Sequence, residues 1–202
     1  MGRIFCFIGK SSSGKDTLFQ KIISSNRLHL KKLVPYTTRP IRDGEKDGAE
    51  YFFTTEEQLN IFLQENKVIE LRSYHTIYGI WKYFTVKDHQ IDLDQSDYAV
   101  IGTLESLMKM KEYFGSDNLV PIYIEVEDGI RLQRALDRER MQDQPKYAEM
   151  CRRFLADEDD FSPKNLADAG INHIIINDDL IQTSEEIIDY ISGFISGGIM
   201  PI

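Results

Sequence analysis

Residues 8–17 read Ile8-Gly9-Lys10-Ser11-Ser12-Ser13-Gly14-Lys15-Asp16-Thr17, a turn rich in glycine and serine. The mostly apolar run before it, residues 3–8, is typical of a buried parallel strand, and residues 17–23 after it have the apolar spacing of a helix. Glycines let a backbone approach an anion closely, and the N–H groups at the start of a helix point toward it. We therefore predict a phosphate-binding loop in which Lys15 reaches the terminal phosphates.

The spacing from Gly9 to Gly14-Lys15 is that of the P-loop, a strand–loop–helix motif that binds nucleotide phosphates. The alternative is a turn that only joins a strand to a helix, and the strand and helix patterns on either side argue against it. The P-loop pattern places serine or threonine after the lysine, whereas this chain has Asp16. The sequence thus predicts a nucleotide site with one irregular position.

Composition narrows the class of protein. The chain has 202 residues, of which 42% are hydrophobic and 28% charged, and this suits one soluble domain with a sizeable core. The formal net charge of −9 opposes binding to nucleic acid, because phosphate neutralisation requires a basic surface. Apolar runs are too short to span a membrane, no signal-peptide pattern is seen, and two cysteines do not make a disulfide framework. We expect a cytoplasmic protein that binds neither nucleic acid nor membranes.

Strand-like and helix-like segments alternate along the chain, which predicts an α/β fold with a parallel sheet covered on both faces. Short paired strands between residues 50 and 86 indicate a small subdomain inserted into that core. The acidic run at residues 157–160 is predicted to be a solvated helix end. The patterns predict strands over residues 31–36, 68–71, 83–86, 98–101, 119–126 and 172–177, and helices over residues 55–66, 104–114, 129–140, 147–161 and 184–195.

A second phosphate-binding constellation is indicated by Arg39 and Arg42, three residues apart in a polar loop, with Tyr51 nearby. Guanidinium groups present fixed pairs of donors to phosphate, and a tyrosine hydroxyl adds one more. A solvated charged loop is the alternative. The whole segment, Tyr36-Thr37-Thr38-Arg39-Pro40-Ile41-Arg42-Asp43-Gly44-Glu45-Lys46-Asp47-Gly48-Ala49-Glu50-Tyr51-Phe52-Phe53, resembles the signature of the guanylate kinase family.

Further matches to this family follow in the same order along the chain. Glu70 and Tyr78-Gly79 resemble its nucleoside-monophosphate (NMP) subdomain, and Ile176-Asn177-Asp178-Asp179-Leu180 resembles its late strand end. Its lid arginines are matched by Arg134, Arg138 and Arg153. The resemblance covers nearly the whole chain and implies a P-loop three-layer α/β/α fold. It divides the single domain into a core of about residues 1–34 and 87–202, an inserted mixed-β NMP-binding subdomain of about residues 35–86, and a helical lid of about residues 134–155.

The resemblance also implies an enzyme that transfers the γ-phosphate of ATP to GMP or dGMP, uses Mg²⁺ and forms no covalent intermediate. ATP would lie on the loop from Gly9 to Thr17, with Asn177 near the adenine. Lys15, Arg138 and Arg153 would balance charge on the transferred phosphoryl group, where such catalysis mostly acts. The acceptor-binding set would be Arg39, Arg42, Tyr51, Glu70, Tyr78, Gly79 and Thr103, with Glu70 accepting hydrogen bonds from guanine.

Three of four base-reading positions depart from the family pattern. Pro35 replaces a serine, Ile80 a threonine or serine, and Thr103 an aspartate. Groups that hydrogen-bond a polar edge discriminate by about 10⁴-fold in favourable cases, so their loss weakens the expectation of guanine selectivity. The open alternatives are a related kinase with another acceptor, such as ribose 1,5-bisphosphate or a different NMP, and a catalytically silent interaction module of guanylate kinase type. Lys15 and the lid arginines argue against the silent module.

The residues expected near Mg²⁺ also depart from the family pattern. Asp16 replaces the usual P-loop hydroxyl ligand, while Ile101 and Thr103 stand where the family has acidic residues. We hypothesise that Asp16 acts on Mg²⁺ directly or through water, because this ion prefers oxygen ligands. The alternative is that Asp16 only interacts favourably with the positive end of the helix dipole.

Overall fold

The computed structural model describes residues 1–42, 44–76 and 79–197, in which two β-sheets are packed with helices. The strands are β1 (Ile4–Ile8), β2 (Lys31–Lys32), β3 (Tyr36–Thr37), β4 (Phe52–Phe53), β5 (Val68–Thr76), β6 (Gly79–Val86), β7 (Tyr98–Ile101), β8 (Leu119–Glu125) and β9 (Ile174–Ile176). The helices are α1 (Lys15–Ser25), α2 (Glu56–Gln64), α3 (Leu104–Phe114), α4 (Asp128–Arg140), α5 (Tyr147–Asp160), α6 (Pro163–Asp168) and α7 (Leu180–Ile195).

The first sheet is parallel throughout and has the strand order β2-β7-β1-β8-β9. All residues of its middle strand β1 are buried, and successive side chains of a strand face opposite sides of the sheet. Phe5 and Phe7 accordingly pack with residues of α1 and α7, whereas Ile4, Cys6 and Ile8 pack with residues of α3. Helices therefore cover both faces of this sheet, and the predicted α/β class with a parallel core sheet is confirmed.

The second sheet is mixed and has the strand order β4-β3-β6-β5. Strand β3 pairs parallel with β4 and antiparallel with β6, and β5 and β6 form a long antiparallel pair. Leu59 of α2 forms a small hydrophobic cluster with Phe84 and Val86 of β6. Trp81, the one tryptophan of the chain, lies on β6 directly opposite Tyr74 of β5. The second sheet thus has a hydrophobic cluster of its own.

The predicted strand over residues 31–36 is wrong, because the segment divides between the two sheets. Lys31–Lys32 pairs with β7 in the first sheet, while Tyr36–Thr37 belongs to the second. Pro35 lies between them and has no N–H to donate to a ladder, although its carbonyl oxygen accepts from the N–H of Phe52 at 2.9 Å. Only residues 33–35 therefore separate one sheet from the other at this point of the chain.

Other boundaries differ where side chains start or extend an element. Helix α7 begins at Leu180 and not at residue 184, because the carboxylate of Asp179 accepts from the N–H groups of the first turn, at 2.8 Å for Ile181. Helix α6 was not predicted, although Ser162-Pro163 is a typical helix start and the Ser162 side chain accepts from Asn165 N–H. Strands β5 and β6 extend much closer to their turn than predicted, whereas α3 has the predicted bounds.

Among the helices in the described ranges, none has both the length and the apolar character that crossing a bilayer requires.

Candidate active site

The glycine-rich loop leaves the carboxyl end of β1, in the middle of the first sheet, and ends at α1. Gly14 has a φ of 84°, and a Cβ at this position would lie 2.5 Å from Nδ2 of Asn177, so only glycine fits without rearrangement. The hydroxyl oxygens of Ser12 and Ser13 are buried and have no hydrogen-bond partner among the described residues. Buried polar atoms without partners are rare in native proteins. The loop therefore has unused hydrogen-bonding capacity, as a phosphate site requires.

Asn177 holds this loop from the end of β9. Its Nδ2 donates to the carbonyl oxygen of Ser13 at 2.7 Å, and the side chain is buried. Its backbone N–H donates to the carbonyl oxygen of Glu125 in β8 at 2.8 Å. The side chain thus fixes the loop relative to the sheet, a role that the sequence did not indicate, and its contact with adenine stays a prediction.

Lys15 and Asp16 lie together at the start of α1. Lys15 Nζ is 3.3 Å from Oδ2 of Asp16, whose side chain is 72% exposed. Within the described residues there is no group of three or more His, Cys, Asp or Glu side chains that could hold a metal ion. Mg²⁺ usually takes one or two carboxylates and completes its shell with phosphate oxygens and water, so the single exposed carboxylate of Asp16 beside the glycine-rich loop fits this ion.

A network of charged side chains connects the loop to α4 and α5, and we call it the loop clamp: Lys10, Asp128, Arg131, Asp157 and Glu158. Lys10 Nζ lies 2.7 Å from both carboxylate oxygens of Glu158. Arg131 Nη2 donates to Asp128 and to Glu158, at 2.7 Å each. The backbone of Ser11 is bound on both sides, because its N–H donates to Asp157 at 2.8 Å and its carbonyl accepts from Arg131 Nη1 at 3.1 Å.

The loop clamp corrects the predicted solvated acidic helix end for Asp157 and Glu158, whereas Asp159 and Asp160 are exposed as predicted. Asp157 and Glu158 are half-buried, and both face the cations of the clamp. Arg131 is 1% exposed, and its guanidinium lies over the ring of Phe154 at 4.6 Å from the centroid. The hydrogen bond from Arg131 is the main reason that the pKa of Asp128 lies below its usual value. The carboxylates of this helix therefore fasten α5 to the phosphate loop.

The predicted lid arginines lie on the same side of the molecule as the loop. Arg153 Nη2 donates to Oγ of Ser11 at 3.2 Å, and Arg138 lines a shared cleft between α4 and α5 with Ser11 and Arg153. Arg134 Nη1 would lie 3.9 Å from a Cβ built on Gly14. The structure thus brings three predicted cationic side chains close to the phosphate loop.

Arg39 is held in place by a carboxylate that the sequence analysis missed. Its Nη1 and Nη2 donate to the two oxygens of Glu45 at 3.0 and 2.8 Å, and its guanidinium lies near the faces of Tyr51 and Phe53. This bidentate hydrogen bond is the main cause of a lowered pKa for Glu45. Nε of Arg39 is buried without a hydrogen-bond partner among the described residues. Glu45 also accepts from the backbone N–H of Arg42 at 2.8 Å, so it orders the loop that carries both arginines.

Glu70 is buried and already bound by neighbouring side chains. Its oxygens accept from Arg72 Nε at 2.9 Å, from Arg72 Nη2 at 3.3 Å and from Oγ1 of Thr85 at 2.9 Å. The same arginine donates through Nη1 to Oγ1 of Thr103 at 3.2 Å. Arg72 and Thr85 were missed, although residues two apart on a strand, such as Glu70 and Arg72, share one face and can pair. The predicted contact of Glu70 with guanine stays a prediction, made to a carboxylate with few unused lone pairs.

The remaining predicted acceptor residues differ in what surrounds them. Thr103 is the N-cap of α3, where its side chain accepts from Ser106 N–H. Gly79 begins β6 with a φ of 114°, and Tyr78 lies outside the described residues. The pKa of Tyr51 is raised chiefly by burial and then by Tyr83, while the charges of Arg72 and Arg39 lower it and that of Asp16 raises it. Its ring lies 5.4 Å from the ring of Tyr83, and the Arg39 guanidinium lies 5.6 Å from its centroid.

Comparison with known proteins gives a consistent result. The family model described as "Guanylate kinase" matches residues 1–192. The guanylate kinase of Bacteroides thetaiotaomicron is 29% identical over 202 residues, covering 96% of this chain and 91% of that protein. The guanylate kinase of Caldanaerobacter subterraneus subsp. tengcongensis is 26% identical, over 92% of this chain and 84% of that protein. The crystal structure of guanylate kinase from Anaplasma phagocytophilum has a similar fold, with a TM-score of 0.65 at 20% identity and coverage of 95% and 85%.

Proposed function

Because the chain belongs to the guanylate kinase family and is a kinase, we propose that it transfers the γ-phosphate of ATP to GMP or dGMP, giving ADP and GDP or dGDP. The observation that carries this proposal is the set of cationic side chains around the glycine-rich loop. Arg153 donates to Oγ of Ser11 and Arg138 lines the same cleft, while the buried hydroxyls of Ser12 and Ser13 have no hydrogen-bond partner among the described residues. A phosphate donor bound at this loop would therefore meet the cations that phosphoryl transfer needs.

In the proposed reaction, a phosphate oxygen of the acceptor attacks the γ-phosphorus of ATP, and the bond from that phosphorus to the oxygen of ADP breaks. Charge develops on the transferred group, and preorganised cations stabilise it best. We assign this role to Lys15, Arg138 and Arg153. Arg138 and Arg153 line a cleft with Ser11, and Lys15 follows the loop as the first residue of α1, which supports the assignment. Arg39, Arg42 and Tyr51 would hold the acceptor phosphate, and Glu45 would keep Arg39 oriented for it.

Two further assignments belong to this proposal. Residues 134–155 would form the lid, and residues 35–86 the subdomain that holds the acceptor. Asp16 would hold Mg²⁺ together with the ATP phosphates, and the bound ion would neutralise phosphate charge during transfer. The side chain is exposed beside Lys15, which supports this role.

A kinase for another phosphate ester, such as ribose 1,5-bisphosphate or a different NMP, is the second candidate. The observation in its favour is that the carboxylate of Glu70 already accepts from Arg72 and Thr85, which leaves few lone pairs for a guanine edge.

An ADP-release assay across GMP, AMP, UMP, CMP and ribose 1,5-bisphosphate tests the proposal. We expect GMP to give the highest kcat/KM, and the Lys15→Met variant to lose about 10²-fold or more of it, because Lys15 stabilises transition-state charge. Lys164→Met, which changes an exposed lysine on α6, serves as the matched control and should retain activity. Higher kcat/KM with ribose 1,5-bisphosphate would favour the second candidate, and absence of turnover with every acceptor would exclude both kinases.

A further inference from the structure

Arg72 occupies a buried position that the phosphate chemistry does not explain. Its side chain is 8% exposed and that of its partner Glu70 is 1% exposed. Three hydrogen bonds, two to Glu70 and one to Thr103, use three of the five N–H groups of its guanidinium. Within the described ranges, the other two N–H groups of this side chain have no hydrogen-bond acceptor.

The pairing also changes what Glu70 offers. A free carboxylate would present acceptors to the N–H groups of a base, but these oxygens already accept from Arg72 and Thr85. Separating a buried ion pair is costly, because it leaves a charge without a partner in a poorly solvated place. A base that needs the Glu70 carboxylate would have to break the pair. A base that needs donors can use the unused N–H groups of Arg72 and leave the pair intact.

The position of Arg72 points to the acceptor site. Its bond to Thr103 brings the guanidinium to the start of α3, beside the carboxyl end of β7. Arg72 stands opposite Tyr83 in the ladder of β5 and β6, and the Tyr83 ring lies 5.4 Å from the Tyr51 ring, over which the Arg39 guanidinium lies at 5.6 Å. Two buried arginines thus lie near Tyr51, one on the loop assigned to the acceptor phosphate and the other on β5.

We propose, on the basis of the kinase function above, that Arg72 is the specificity-determining residue of the acceptor site and reads the O6 and N7 atoms of a 6-oxopurine. Arginine commonly donates to these two atoms of guanine. Adenine presents an amino group in place of O6 and so meets the donors of Arg72 with a donor. Hypoxanthine has O6 and N7 but lacks the 2-amino group. The acceptor class is therefore the 6-oxopurine nucleoside monophosphates, with IMP accepted as well as GMP.

Wild-type protein alone gives the first test. We expect about equal kcat/KM for GMP and IMP, and a value for AMP about 10- to 100-fold lower, which is the discrimination that a bidentate arginine contact supplies. Calorimetric titration of each monophosphate without ATP should give the same order of affinities. If GMP is phosphorylated well and IMP about 100-fold less, the 2-amino group is read by another residue and the proposal fails, although the GMP kinase function stands. If no purine nucleotide is phosphorylated, both fail.

A pair of variants gives the second test. Arg72→Met alone leaves Glu70 buried and unpaired, so the double variant Glu70→Gln/Arg72→Met is made with it. We expect the double variant to raise KM for GMP and IMP by about 10-fold or more while KM for AMP changes little. The control is Arg27→Met, which removes an exposed arginine that pairs with Glu185. A uniform fall of kcat for all acceptors would mean that Arg72 acts only on the structure, and would overturn the proposal.

Discussion

Asp16 stands in the first turn of α1, where its carboxylate can interact with a bound cation in addition to Lys15 and the positive end of the helix. If it holds Mg²⁺, Asp16→Ala should raise the magnesium concentration for half-maximal activity by about tenfold, because one oxygen ligand or its bridging water is lost. The measurement is activity at fixed ATP against magnesium concentration. Asp94→Ala, at an exposed aspartate before β7, is the control. An unchanged magnesium dependence would leave Asp16 with Lys15 and the helix dipole as its partners.

At the residue scale, the sequence predicts which side chains belong to the site better than it predicts which residues those side chains contact. The loop glycines, Lys15 and Arg39 follow from spacing and from resemblance. The carboxylate that binds Arg39 does not, because Glu45 is one of many acidic residues in a polar loop. Asp157 and Glu158 were interpreted wrongly, since an acidic run at a helix end is normally solvated. Nothing in the local sequence indicates that Asp157 accepts from Ser11, 146 residues earlier, or that Glu158 binds Lys10, 148 residues earlier.

The loop clamp belongs to the scale of elements, because it ties α4 and α5 to the loop before α1. Arg131→Met would leave Lys10 as the one cation of the loop clamp beside its three carboxylates. The carbonyl oxygen of Ser11 would also lose the hydrogen bond from Arg131. We expect the free energy of unfolding to fall by about 2–3 kcal/mol, somewhat less than for a fully buried pair because Asp128 and Glu158 are partly exposed. We also expect KM for ATP to rise more than KM for the acceptor. Denaturant titration and steady-state kinetics measure these effects, with Arg152→Met, an exposed arginine paired with Glu149, as control.

The pH dependence of the same variant follows from Asp128. Its pKa is lowered in the folded protein, so the stabilisation from Arg131 is complete above the pKa of the unfolded chain, about 4. It is lost as the pH falls through the lower, folded value. The difference in unfolding free energy between wild type and Arg131→Met should therefore be largest at neutral pH and shrink in acid. A difference that stays constant from pH 7 to about pH 3 would contradict an ionic origin.

The bounds of some helices and strands were predicted correctly and those of others were not. The errors arise where pairing between strands that are distant in sequence sets the bounds. Helix α3 has strong apolar periodicity and a capping threonine, and its predicted bounds are correct. The segment over residues 31–36 is apolar enough for one strand, but its two ends pair with different sheets, which local pattern does not reveal. The parts of β5 and β6 near their turn are polar and partly exposed, so the apolar–polar alternation that indicates a strand is weak there. Pairing between the two strands extends both of them beyond the predicted bounds.

At the scale of the whole molecule, the site is assembled from distant parts of the chain. Ser11 meets Asp157 across 146 residues, and Arg72 meets Thr103 from another sheet. Alternation of strands and helices predicts the parallel sheet, and the short paired strands between residues 50 and 86, together with the family resemblance, predict a second, inserted subdomain. Neither predicts the loop clamp or the buried pair of Glu70 and Arg72, since both depend on side-chain contacts between elements.

The intrinsic fluorescence of Trp81 can report ligand binding. Trp81, the one tryptophan, is half-buried on β6 and belongs to the sheet assigned to the acceptor, while the assigned ATP loop lies on the other sheet. Indole emission responds to its surroundings, so GMP alone should alter the intrinsic fluorescence in a saturable way, and ATP alone should leave it nearly unchanged. Equal responses to both nucleotides would show that Trp81 does not separate the two halves. Fluorescence titration would thus give the occupancy of one half of the site without any label.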